Sequence, residues 1–217
     1  MDERNSNYQL TTSRNGLTVP VINGIYLHSV YNPTKEAEAF TKGYETVLKQ
    51  KNHVLVFGLG FGYHIEQIAK KLFTEHSDYE IVILETSKKL IEDFNTTRPF
   101  EDRRISIKFA SSIEELFNDW QFVQFLMKKP AIIKHDASFG LSRDFYTQFL
   151  SYQAPQSISQ YSKLLRANAS EWFTEDDSKK CFATYVDEIK KSHGAIDNRT
   201  FHALTINAIK NFSSKDA

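Results

Sequence analysis

The stretch that most constrains this chain runs from His53 to Ser87, HVLVFGLGFGYHIEQIAKKLFTEHSDYEIVILETS. A short apolar, β-branched run, Val54 to Phe57, feeds Gly58-Leu59-Gly60-Phe61-Gly62. A segment of helical periodicity follows, and a second apolar run, Ile81 to Leu84, is closed by Glu85. This succession predicts strand, tight turn, helix and a second parallel strand. It is the opening unit of a doubly wound, mainly parallel α/β sheet, in which ligands bind beyond the carboxyl ends of the strands. Glycines suit such a turn because positive φ and close approach of a ligand both disfavour a Cβ. The helix behind the turn offers unpaired N–H groups and the positive end of its dipole.

The remaining pattern extends the unit in both directions. Residues 16–31 alternate around Asn23-Gly24, a pair suited to a tight hairpin turn. Asn32 then caps a helix with Pro33 at its first position and Glu36 in its first turn. That helix is predicted to run to about Gln50, with Ala37, Phe40, Tyr44 and Val47 or Leu48 on one face. Gly43 weakens its middle by about 1 kcal/mol relative to Ala. After the glycines, Ile65, Ile68, Ala69, Leu72 and Phe73 have the spacing of a helix packed on a sheet. Ser87 caps another helix, residues 104–109 alternate as a third strand, and Ser112 with Glu115 forms a capping box for a helix through Phe117 and Trp120. Ala131-Ile132-Ile133 is a short fourth strand. Helical patterns follow over 143–152, 157–173, 178–191 and 198–212. Residues 1–14 and the tail after Phe212 read as loose. The expected organisation is an N-terminal hairpin and helix (1–52), a Rossmann-like domain (53–152) and a helical C-terminal segment (153–217).

Composition narrows the function classes. The 217 residues hold 27 basic and 27 acidic side chains, so no net field draws the chain to nucleic acid or anionic lipid. The single cysteine, Cys181, forms no intramolecular bridge. The N-terminus lacks an apolar signal core, and no run approaches the ~18 apolar residues of a membrane span. The expectation is a cytoplasmic protein with neither a nucleic-acid nor a membrane partner. The late helices carry apolar faces suited to pairing with a second copy.

The glycine spacing departs from the G-x-G-x-x-G of dinucleotide enzymes, because Tyr63 occupies the sixth position. It resembles the G-x-G-x-G of S-adenosylmethionine-dependent methyltransferases and aminopropyltransferases, matched by Gly58, Gly60 and Gly62. In those families an acid at the end of the second strand takes the ribose hydroxyls, and the resemblance assigns that role to Glu85. Two expected acids are replaced: Val56 stands two positions before the first glycine, and Phe109-Ala110-Ser111 stands near the adenine. The aspartate that aminopropyltransferases place in the turn is Phe61 here.

A second resemblance covers more of the chain. The string Leu27-His28-Ser29-Val30-Tyr31-Asn32-Pro33-Thr34-Lys35-Glu36-Ala37, followed by Gly58-Leu59-Gly60-Phe61-Gly62-Tyr63-His64, is similar to the N-terminal region of the motility accessory factor (Maf) family. Those proteins are bacterial flagellin glycosyltransferases that resemble sialic-acid-type sugar transferases. Their transferase machinery is assigned to a following domain that opens with a "GPSL"-like string. This chain has no such string and is expected to correspond to the front module alone. The resemblance implies a nucleotide-binding or scaffolding module in flagellin or surface-glycan modification, with flagellin or a glycan-modification protein as partner. The alternative is a methyltransferase-like enzyme. The ligand stays open between S-adenosylmethionine and a nucleotide.

Beside the glycines, His64 in the first helical turn could donate to a phosphate or carboxylate, and His28 flanks the same edge. His64-Ile65-Glu66 has the H-x-E form of zinc deaminases, but one cysteine cannot supply their P-C-x-x-C partner, so the sequence predicts no metal site of that kind. His135-Asp136 follows the fourth strand, and Asp136 could orient an amine or a metal. Ser138 lacks the G-x-S-x-G setting of a nucleophile elbow. The candidate cofactor-binding set is therefore Gly58, Gly60, Gly62, His64, Glu85 and Asp136.

Overall fold

The computed structural model describes residues 7–153 and 182–191. The chain divides into two compact units, Met1–Tyr152 and Gln153–Ala217. In the first, a three-stranded antiparallel sheet precedes the main one: β1 (Tyr8–Thr12), β2 (Thr18–Ile22) and β3 (Ile25–Tyr26) pair in that order. Asn23 and Gly24 turn β2 into β3 with φ of 52° and 79°. Both central residues are left-handed, as a type I′ turn requires. The hairpin is as expected, but β1 lies in a segment read as loose. Its pairing with β2, Leu10 opposite Pro20, supplies order that its polar sequence does not announce.

Asn32 caps α1 (Pro33–Lys42), its side-chain oxygen accepting from Lys35 N. The single helix expected to reach Gln50 is instead two, because the chain breaks at Gly43 and Tyr44 before α2 (Glu45–Gln50). The main sheet follows: β4 (His53–Phe57), α3 (Tyr63–Glu75), β5 (Glu80–Glu85), α4 (Lys88–Thr97), β6 (Ile105–Phe109), α5 (Ile113–Asn118), α6 (Trp120–Met127) and β7 (Ala131–Lys134). All four strands are parallel, in the order β6-β5-β4-β7. Counted from the first strand of this sheet, the order is 3-2-1-4, that of a Rossmann-like fold. The direction of winding reverses between β4 and β7, the switch point where such sheets bind ligands. Then come α7 (Asp136–Leu141) and α8 (Arg143–Leu150).

Strand alternation sorts the core onto the two faces of the sheet. Val54, Val56, Ile81 and Ile83 pack with Ile65, Ile68 and Leu72 of α3 and Leu90 and Phe94 of α4. Leu55, Phe57, Val82 and Leu84 face Ile113, Leu116, Phe122, Phe125, Tyr146 and Phe149. Both sheet faces are therefore covered by apolar helix faces, which is why β4 and β5 read as unbroken apolar runs.

Phe73, placed on a packed face by periodicity, is not buried, and neither is Trp120. Phe73 is 68% exposed, and the Arg104 guanidinium lies over its ring. Trp120 is 66% exposed, because Asp119 interrupts the helix and caps a new one through Gln121 N and Phe122 N. In the second unit α9 (Phe182–Lys191) falls inside the helix expected over 178–191. The helices expected over 157–173 and 198–212, Cys181 and the tail after Phe212 lie outside the described residues. Among the described residues no helix is long and apolar enough to cross a membrane.

Candidate functional site

The three glycines of the bend all take positive φ: 97° at Gly58, 56° at Gly60 and 82° at Gly62. What crowds them is the protein's own side chains. A Cβ on Gly58 would fall 2.1 Å from Ser138 Cβ, one on Gly60 2.5 Å from His28 Nε2, and one on Gly62 2.6 Å from Phe94 Cε2. Each position thus needs glycine for both conformation and space. Four of the bend's five amides are engaged as well. Gly58 N donates to Leu84 O, Leu59 N to Glu85 Oε2 (2.8 Å), Phe61 N to His28 Nε2 (3.0 Å) and Gly62 N to Leu59 O.

Glu85 ends β5 where the resemblance placed it, yet the residue is only 4% exposed. Oε2 accepts from Leu59 N, and Oε1 accepts from Thr86 N and Ser87 N, both at 2.9 Å. Burial pushes its pKa up from the ordinary range and the three N–H groups pull it back. With both oxygens accepting, the ribose role given to Glu85 meets a competitor inside the protein, and the cradle role given to Gly58, Gly60 and Gly62 meets the side chains packed against them.

Against this bend the fold gathers three histidines that are distant in sequence. His28 follows β3, His64 lies in the first turn of α3 and His135 follows β7; they are 4%, 1% and 7% exposed. The rings of His64 and His135 stack at 4.3 Å between centroids and 9° between planes. His28 sits 5.5 Å and 4.9 Å from them. Phe40 meets His64 and His135 edge-on.

The partners assign the ring protons. His28 Nε2 accepts from Phe61 N, so its proton is on Nδ1, 3.3 Å from Glu36 Oε2. The His64 Nε2–H donates to Gly58 O at 3.2 Å, which leaves Nδ1 a bare acceptor, buried and without a hydrogen-bond partner among the described residues. His135 Nδ1 is 2.8 Å from Ser138 Oγ. Burial holds His28 below the usual histidine range against the pull of Glu36. His64 is pushed well below it by burial and then by His135 and His28. His135 is pushed down to about 3 by burial and then by His28. All three are neutral imidazoles at neutral pH, the form that accepts hydrogen bonds and ligates metals.

Of the residues singled out from sequence, the structure thus brings together Gly58, Gly60, Gly62, His64 and Glu85. Asp136 stands apart, exposed in the first turn of α7, where its charge helps push up the Tyr44 phenol. His135, not among the candidates, takes the place beside the bend. The signal was in the strand register: Phe57 pairs with Lys134, so the next residue of each strand, Gly58 and His135, leave the sheet side by side, and His135 N donates to Phe57 O.

The sequence matches no protein-family model and no curated protein. Solved structures with a similar fold include MnmC2 from Aquifex aeolicus, at 11% identity and a TM-score of 0.39 over 75% of this chain and 77% of that one. Spermidine synthase from Thermotoga maritima gives 15% identity and a TM-score of 0.44, over 95% and 86% of the two chains. A spermidine synthase in complex with the transition-state analogue AdoDATO gives 13% and 0.42, over 93% and 85%. Identities and TM-scores this low carry no ligand or activity across to this chain.

Proposed function

We propose that the first unit is a Rossmann-like module used for binding or assembly, akin to the front module of motility accessory factor proteins, and that its glycine bend serves the protein's own packing. The observation that supports this reading is the engagement of the bend: the amides of Leu59 and Phe61 are paired with Glu85 and His28. The two strings that carry the Maf resemblance also meet in space. His28 and Glu36 come from one, Phe61, Tyr63 and His64 from the other, and His28 touches all four. Both strings then serve one structural joint, with flagellin or a surface-glycan modification protein as the expected partner.

The competing reading is an S-adenosylmethionine-dependent enzyme, favoured by the Glu85 carboxylate lying against the glycine turn. Calorimetry with S-adenosylmethionine and S-adenosylhomocysteine separates the two. The expected result is no binding heat at high micromolar ligand. Binding that Glu85→Ala removes, with the fold retained by circular dichroism, would overturn the proposal in favour of the enzyme.

A further inference from the structure

His64 Nδ1 is an anomaly that packing alone does not explain. A ring nitrogen with a free lone pair, in a residue 1% exposed, has no hydrogen-bond partner among the described residues. Leaving such a group unpaired is costly, and native proteins rarely leave one without a bound species to satisfy it. The atom belongs to a cluster in which His28, His64 and His135 each offer one ring nitrogen, all within 4.8 Å of one another. The cluster stands at the switch point between β4 and β7, where the fold class places ligands.

We propose that His28, His64 and His135 form a three-nitrogen site for a divalent, imidazole-preferring transition-metal ion of the zinc class. The surroundings of the rings match what such ligands need. A metal-ligating histidine donates its other ring N–H to a carboxylate or carbonyl, which fixes its tautomer. His28 presents Nδ1 to Glu36, and His64 donates Nε2–H to Gly58 O. His135 is held at Nδ1 by the Ser138 hydroxyl, with the Leu27 carbonyl also close to its ring. Three protein nitrogens leave one tetrahedral position open, the arrangement of sites that bind water or substrate at the metal.

Loading the site requires defined movements. Zinc–nitrogen bonds of about 2.0–2.1 Å put tetrahedral ligand atoms about 3.3–3.4 Å apart, so nitrogens now within 4.8 Å of one another close in by up to about 1.4 Å. The near-parallel His64 and His135 planes require one ring to turn about its Cβ–Cγ bond. His28 gives up its hydrogen bond from Phe61 N, the lone pair passing to the ion with no change of oxidation state. Metal capture therefore releases an amide of the glycine bend. Glu36 has a half-exposed side chain, so the His28 edge of the cluster lies one side chain from solvent.

The test is a Co2+ titration of the metal-stripped full chain, followed by Zn2+ competition, with circular dichroism confirming the fold. The expected result is one ion per chain, with the strong visible band of four-coordinate Co2+, displaced by Zn2+ and lost in His64→Ala. Glu36→Gln alters the orienting carboxylate without removing a ligand, keeps an acceptor for Ser29 N, and is expected to weaken affinity about 10–100-fold. That variant is decisive if His64→Ala does not fold. Absence of the band, or a band whose strength and affinity are unchanged in the folded variants, overturns the proposal. Because no adenosyl compound enters the experiment, its outcome is independent of the calorimetric test of function.

Discussion

Glu85 sits where a ribose-binding acid would sit, and its geometry gives it another task. Two oxygens accept three backbone N–H bonds, tying the end of β5 to the start of the glycine bend. Glu85→Gln keeps the shape but turns an NH2 group toward at least one donor. The expected loss of stability is about 1–3 kcal/mol, the cost of leaving a buried donor unpaired, read by urea denaturation. An unchanged midpoint would mean that the carboxylate is not a structural acceptor. At this scale the sequence was partly legible. The demands of a turn after a parallel strand point to Gly58, Gly60 and Gly62, and the methyltransferase resemblance points to Glu85. Neither could say whether the space the glycines open is filled by a ligand or by His28, Ser138 and Phe94, since that depends on residues more than 30 positions away.

At the level of elements, local signals were read well and interruptions poorly. Asn32, Ser87 and Ser112 cap helices as expected, each side-chain oxygen accepting an N–H three residues on. Asn32→Ala should cost about 1 kcal/mol, with the range for such caps at 0.5–2, measured as a shift in denaturation midpoint. A shift within error would remove the cap from the account. The break at Asp119 is not anticipated, and Gly43 is anticipated only as a weak point, because helical periodicity continues through both. β1 was missed for the opposite reason. Its register with β2 is set by tertiary pairing, not by an apolar pattern of its own.

At the scale of the whole molecule, burial acts in one direction on five tyrosines among the described residues. Tyr8, Tyr44, Tyr63, Tyr79 and Tyr146 are all pushed up from the ordinary phenol range, in each case chiefly by burial. Tyr79 is raised to about 12, with a second contribution from its hydrogen bond to Asp102. An unfolded chain gives up phenol protons near pH 10, whereas the folded one keeps that of Tyr79 to about 12. Its contribution to stability is therefore complete below pH 10 and is lost as pH rises through 12. The melting temperature should fall steeply over that interval, and less steeply in Tyr79→Phe. Equal slopes in the two proteins would deny Tyr79 this role.

The fold class was legible because β4 and β5 are apolar on both faces, a pattern that a sheet covered on both sides explains. The histidine cluster was not, because its members come from three separate connections and meet only through the 3-2-1-4 strand order. The central claim is that the glycine bend is closed on itself, the Leu59 amide held by Glu85 and the Phe61 amide by His28. Amide hydrogen exchange followed by NMR in the metal-free, ligand-free protein tests it at the atoms concerned. The account predicts that Leu59 and Phe61 exchange slowly, within about tenfold of neighbouring β4 amides such as Val56. Exchange of both at the rate of an unstructured loop, with β4 still protected, would contradict it.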